Sequence, residues 1–327
     1  MNVELHDRFL EFARLKLAAD GSDAYIMGAV VLALESDDPH WYAGCFTTPY
    51  APPTQEVLVR HWTRHDLLER EDLVLEWTID HWSSLPISGA RRTNRMGPHK
   101  LVRTLAGWAR WLDSGGIQKL DSHNFDTAFK QLTAGAPNHG RYTGLKLYET
   151  LRRIGADIPT VGDIRPRGGR VPRRSLREIF GHDHRSDDAA TAAEANALAD
   201  RLRNEIPTSW FNAEMLLCNF RKAMAGGFYP GYATDKELER AHQVAIAFGD
   251  DMISSTLRVR RLLYPPTYLG EVGGWSGTRM ELGRALPDHG YFWSDGLFDY
   301  AKTTDLARPA ERSPSAKLPF LRGVGEE

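Results

Sequence analysis

Apolar residues recur along the chain at the three- and four-residue spacing that keeps one face of a helix dry. Val3, Leu5, Phe9, Phe12 and Leu15 follow it near the N-terminal end, and Leu101, Leu105, Trp108 and Leu112 repeat it. Leu198, Leu202, Trp210, Met215 and Leu216 carry it on either side of Pro207, which lacks the N–H that a helix interior needs. Ala241 to Leu263 continues the pattern until Pro265 and Pro266 stop it. Strict alternation, the mark of half-buried strands, is scarce, and no internal repeat occurs. The expected fold class is all-α. Arg165 to Arg177 reads as a loop from its Gly and Pro content, and 183–196 as a polar, Ala-rich linker or helix start. The expected organisation is one helical domain of two lobes over residues 1–306, followed by a loosely held, Pro/Ser-rich tail over 307–327.

A chain of 327 residues, 42% of them hydrophobic and 10% aromatic, has material for one large core or two modest ones. No apolar run is long enough to span a bilayer, and Met1 to Asp20 is charge-rich and lacks the apolar centre of a signal peptide. An intracellular protein with no membrane partner is expected. Cys45 and Cys218 are the only cysteines, and no His or Cys pairs stand at zinc-site spacing. Neither a disulfide framework nor a structural metal is indicated.

Charge sharpens the reading. The net charge is −2, yet residues 91–185 hold 19 Lys/Arg against 8 Asp/Glu, which leaves 22 against 35 for the remainder. A basic middle inside an acidic whole suits a protein that grips a phosphate-bearing ligand with one face. A solvated basic surface is the plain alternative.

The stretch Asn138 to Arg165 lies within that basic middle. A Gly-bearing turn at Gly140 opens a helix, the helix ends at Gly155, and a short apolar stretch then delivers Asp163. This order resembles the helix-hairpin-helix DNA glycosylases. The resemblance implies that backbone N–H groups of the hairpin and a helix N-terminus hold a DNA phosphate, which puts His139, Gly140 and Thr143 at the DNA. It also implies that Asp163 faces an extruded nucleotide. Lyase-type members carry a basic residue just after the hairpin glycine, and Tyr142 stands there instead, so strand cleavage through an imine is not expected.

A second set of motifs narrows the family. Trp41-Tyr42-Ala43-Gly44-Cys45-Phe46 is followed by Tyr50-Ala51-Pro52-Pro53-Thr54-Gln55-Glu56-Val57-Leu58. Gly140-Arg141-Tyr142-Thr143 comes next, then Gly227-Phe228-Tyr229-Pro230-Gly231-Tyr232 ahead of Asp235 and Glu237. Together they resemble the phage amino acid:DNA transferases, first described as α-glutamyl/putrescinyl thymine pyrophosphorylases, from about Trp41 to about Trp275. Members are similar to glycosylases in fold but remove no base. What the resemblance implies is replacement of the pyrophosphate on a pyrophosphorylated 5-hydroxymethyluracil in double-stranded phage DNA by the amine of a free amino acid. Glycine, serine and glutamate are the candidate donors, and the setting is the cytoplasm of an infected bacterium. No resident cofactor is implied, while Mg²⁺ at the leaving group stays open.

That chemistry asks for an aromatic-walled pocket, a basic rim and a general base. Trp41, Tyr42, Phe46 and Tyr50 form one aromatic cluster and Phe228, Tyr229 and Tyr232 another, with core packing as the alternative for either. Arg91, Arg92, Arg95 and Lys100, or Arg165, Arg167 and Arg170, are suited to DNA phosphates and to departing pyrophosphate, and Arg141 or Arg279 to the incoming carboxylate. Asp163 is the first choice for the base, a turn or N-cap aspartate being the alternative. Tyr142 joins the catalytic candidates by its place after Gly140. Cys45 offers a covalent route through addition at the pyrimidine C6, against the plainer role of a small buried hydrophobe. A monofunctional glycosylase using Asp163 and a non-catalytic DNA-binding protein are the competing functions. A P-loop kinase is disfavoured, because no Gly-x-x-x-x-Gly-Lys-Ser/Thr sequence occurs.

Overall fold

The computed structural model describes residues 24–85, 87, 96–160, 189–205, 210–224 and 246–248, with short stretches inside 6–13, 175–179 and 293–298. Most of these are helical, as the periodicity predicts, and the class is all-α. Extended pairing among the described residues is limited to a ribbon in which Trp293–Ser294 runs antiparallel to Leu297–Phe298. Two compact units make up the chain, one of Tyr25–Thr160 with Leu238–Val259, the other of Met1–Ala24, Val161–Glu237 and Arg260–Glu327.

The first unit contains α1 (Ala24–Leu34) from Tyr25 onward, α2 (Pro39–Thr47), α3 (Pro52–His61), α4 (Arg64–Glu69) and α5 (Glu71–His81), then α6 (Pro98–Asp113), α7 (Phe125–Gly135) and α8 (Arg141–Arg153). Their starts are written in local chemistry. The Asp38 carboxylate accepts the Trp41 N–H at 3.0 Å, and Pro39 opens α2 with a φ already suited to a helix. Thr63 and Asp66 form a reciprocal capping box on α4, and the Asn124 side chain accepts the Thr127 N–H at 2.9 Å to start α7.

Leu101, Leu105, Trp108 and Leu112, the predicted stripe of α6, are all buried, and α6 packs against α2, α4 and α5. Gly44 permits the approach of α2, since a Cβ there would come within 2.1 Å of the Trp108 ring. The Trp108 indole N–H then donates to the His40 carbonyl at 3.1 Å. Elsewhere α2 meets α3 and α8, and α8 packs on α7.

In the second unit α9 (Ala189–Glu205) packs on α10 (Trp210–Met224). Phe220 meets Phe9 at 5.3 Å and Phe12 at 5.6 Å between ring centroids, so these members of the N-terminal stripe are core. Ser175 donates to the Leu217 carbonyl at 2.6 Å. Ala189 begins a helix, so the stretch 183–196 contains the helix start that is one of its two readings. Of Ala241 to Leu263, only Ile246–Phe248 is described, as a short 3₁₀ turn. The loop Arg165 to Arg177, apart from Ser175 and Leu176, and the tail over 307–327 lie outside the described residues. No helix among the described residues is long and apolar enough to cross a membrane.

Candidate functional site

The turn between α7 and α8 is built from Ala136, Pro137, Asn138, His139 and Gly140. Ala136 closes α7 by donating to the Leu132 carbonyl at 2.8 Å. Asn138 takes a left-handed φ of 57°, which asparagine tolerates better than most residues, and its amide donates to Thr104 Oγ1 at 2.9 Å. His139 points inward with 3% exposure, its Nδ1 3.1 Å from the Pro137 carbonyl and its Nε2 3.1 Å from Thr47 Oγ1. A carbonyl only accepts, so Nδ1 carries a hydrogen. The turn is therefore pinned to α6 through Asn138 and to α2 through His139.

Gly140 is the N-cap of α8, with no side-chain cap bond, and a Cβ built on it would meet nothing within 4 Å. The start of α8 thus faces open space at Gly140. A helix N-terminus concentrates N–H donors and partial positive charge, an arrangement that favours an anion. Thr143 is buried at 3%, and its Oγ1 donates to the Gly140 carbonyl at 3.4 Å. At Gly140 the turn offers backbone outward, while the buried His139 and Thr143 side chains hold its shape.

Tyr142 is half-buried in the first turn of α8. Its ring meets Tyr50 edge-on at 6.4 Å between centroids, and Tyr50 in turn meets Phe46 at 5.1 Å. Tyr50 holds a left-handed φ of 53° in the turn between α2 and α3, a conformation costly for an aromatic residue, and its N–H donates to the Phe46 carbonyl at 2.7 Å. The Nζ of Lys146 lies 5.5 Å from the Tyr142 ring centroid, and Lys146 is 1% exposed.

Trp41 and Tyr42 are core residues of α2, 4% and 7% exposed. The Trp41 indole donates to the Trp62 carbonyl at 3.3 Å, and the Tyr42 carbonyl accepts the Gln55 amide at 3.1 Å. Cys45 is fully buried on the same helix. Burial pushes its thiol well above the ordinary value, the Asp38 charge adding to the effect, so it is held as a neutral thiol.

Gly155 ends α8 with a left-handed φ of 95°. Its N–H donates to the Arg152 carbonyl at 3.1 Å and that of Ala156 to the Leu151 carbonyl at 3.0 Å, the paired bonds of a Schellman ending. Tyr148 then donates to the Pro159 carbonyl at 2.8 Å, tying the segment that leads out of α8 back onto the helix. Burial raises the Tyr148 phenol, which keeps the donor protonated.

No family model matches the chain, and no curated protein or solved structure matches it.

The arrangement brings Tyr50, Tyr142, His139, Gly140 and Thr143 to one corner where α2 packs on α8. Lys100 lies in the first turn of α6, partly exposed. Arg141 begins α8, its side chain outside the described set, and Asp163, Arg165, Arg167, Arg170, Tyr229, Arg279, Arg91, Arg92 and Arg95 are also outside it. Sequence reasoning missed Lys146 and Tyr148. Lys146 stands four residues after Tyr142 and so on the same helix face, a signal that was available. Glu149 was missed too, 4% exposed and accepting from Arg153 Nε at 2.6 Å. Among the described residues no grouping of His, Cys, Asp and Glu could hold a metal ion.

Proposed function

We propose that this protein is an amino acid:DNA transferase of a helix-hairpin-helix glycosylase-like fold. It acts on pyrophosphorylated 5-hydroxymethyluracil in double-stranded phage DNA, in the cytoplasm of an infected bacterium. The observation that carries the reading is the α7–turn–α8 unit, with its open, uncapped Gly140 at the helix start and a pinned turn behind it. A backbone so held is suited to one DNA phosphate, and it occurs in the segment of the chain where basic residues outnumber acidic ones 19 to 8.

In this reading a DNA strand is gripped at Gly140 and the modified nucleotide leaves the stack. The amine of an amino acid attacks the 5-methylene carbon, a C–N bond forms, and the C–O bond breaks with its electron pair going to pyrophosphate. Asp163, three residues beyond the described Thr160, accepts the proton that the amine must lose. Cations of the basic tract draw off the leaving pyrophosphate. The buried, neutral Cys45 supports direct displacement over a covalent route.

The test is the pyrophosphate released from duplex DNA carrying the pyrophosphorylated base, with and without added amino acids. Release that depends on the amine, with no free base, is the expected result. Free base released without an amine would replace the transferase by a glycosylase. Binding without either product would leave a DNA-binding protein.

A further inference from the structure

The C-terminal ends of α3 and α5 each place a histidine against one tryptophan, away from the turn that opens α8. His81, four residues after Trp77 on α5, lies nearly flat on the indole, 4.5 Å between ring centroids and 21° between planes. His61, the last residue of α3, meets the same indole at 4.9 Å and 41°. Trp62 and Phe248 stand around it at 5.8 and 6.4 Å, over the buried Val57 and Leu85. The two imidazoles are held differently. His81 Nδ1 lies 2.8 Å from the Trp77 carbonyl, which only accepts, so that nitrogen carries a hydrogen and ties the ring to its own helix. His61 is exposed, and its ring rests against Trp77 alone.

We propose that His61 is a proton-sensitive cover over Trp77, lying on the indole while neutral and swinging into solvent when protonated. An imidazolium is drawn to an indole face, but this one would carry its charge between Arg60 on its own helix and His81 on α5. Being exposed already, it recovers full hydration by a side-chain rotation and leaves both charges behind. Burial against the cluster lowers the His61 imidazole below its ordinary value, and His81 and Arg60 lower it further. The remaining charges nearby are engaged elsewhere or stand in water. Glu56 on α3 faces Arg60 at 3.5 Å, and α4 pairs Arg64 with Asp38 at 3.5 Å and His65 with Glu69 at 3.0 Å. Asp66 of α4 is bonded to Arg70, and on α5 Glu71 meets Arg110 at 3.1 Å while Asp72, Glu76 and Asp80 are exposed. Neither α2 nor Ile246–Phe248 contains an Asp, Glu, Lys or Arg. A proton disfavoured in the stacked arrangement leaves stacking complete above the free imidazole value of about 6.5, and stacking is lost as the pH falls through the lowered one.

The experiment follows the Hε1 resonance of His61 by NMR of the full-length protein carrying isotope-labelled histidine, from pH about 8 to about 5. His61→Gln assigns the signal. Neutral His61 is expected to be displaced from the free-imidazole position by the Trp77 ring current, and that displacement should vanish with the same midpoint as protonation. Arg60→Gln and His81→Gln each remove a charge that opposes the proton, so each should move the midpoint to higher pH. A protonated His61 that keeps the displacement would overturn the proposal, because the attraction of the imidazolium to the indole would then have won. So would the absence of any displacement in the neutral form, or a midpoint unchanged in both variants. The first two outcomes are read on wild type alone, so failure of either variant to fold leaves the proposal open to refutation.

Discussion

In the proposed reaction Asp163 is the base and Cys45 takes no part, and each assignment has a residue-scale test. The thiol of Cys45 is buried in α2, and burial holds it above the range in which a thiolate forms. Cys45→Ala should therefore keep transferase turnover within about tenfold, since losing a covalent nucleophile costs far more than about 1.4 kcal/mol of barrier. Single-turnover rates check this, and a loss of several orders of magnitude in a folded variant would restore the covalent route. Asp163→Asn keeps volume and hydrogen-bonding reach but accepts no proton. Turnover should fall by roughly 10²–10⁴ with DNA affinity near wild type, read by parallel rate and binding titrations. A turn or N-cap role would instead cost about 1 kcal/mol of stability and spare the rate. The burial of Trp41 and Tyr42 was half legible in the sequence, because an aromatic cluster reads equally as core or as pocket wall. Partnerships such as His139 with Thr47 and Asn138 with Thr104 were not legible. They join residues 92 and 34 positions apart, and no local pattern encodes such pairs.

At the scale of elements, periodicity and capping did most of the specification. The stripe Leu101, Leu105, Trp108 and Leu112 is buried as its spacing predicts, and the helix opened at Gly140 and closed at Gly155 is the observed α8. The small device at the start of α4 carries a pH prediction. Burial alone would raise the Asp66 carboxyl, but hydrogen bonds from the Thr63 side chain and backbone and from Arg70 bring it below the usual carboxylate range. A carboxyl lowered in the folded state adds stability that is complete above its unfolded pKa and is lost as pH falls through the folded one. Urea midpoints of wild type and Asp66→Asn should differ most near neutrality and converge as the pH drops below about 4. A gap unchanged across that range would detach Asp66 from the stability of α4.

On the scale of the whole molecule, the two units are assembled from stretches distant in sequence, Leu238–Val259 joining Tyr25–Thr160 in one of them. Periodicity is local, so a linear reading finds the helices and not this interleaving. Charge segregation belongs to the same scale. With 19 Lys/Arg against 8 Asp/Glu over 91–185, DNA affinity should fall steeply with salt. Replacing Arg91, Arg92 and Arg95 by alanine should weaken binding and flatten the slope of log K against log salt by about one unit for each DNA phosphate that is no longer neutralised. Unchanged affinity and slope would move the basic face elsewhere. The central claim, that this chain joins an amino acid to a DNA base with release of pyrophosphate, is tested most directly by mass spectrometry of nucleosides. Duplex DNA carrying pyrophosphorylated 5-hydroxymethyluracil would be incubated with wild-type protein, the twenty amino acids and putrescine, then digested. The expected product is a new thymidine-derived nucleoside whose mass equals that of 5-hydroxymethyl-2′-deoxyuridine plus one amine donor less one water, absent when protein is omitted. Recovery of the starting base unaltered, or of an abasic site, would contradict the claim.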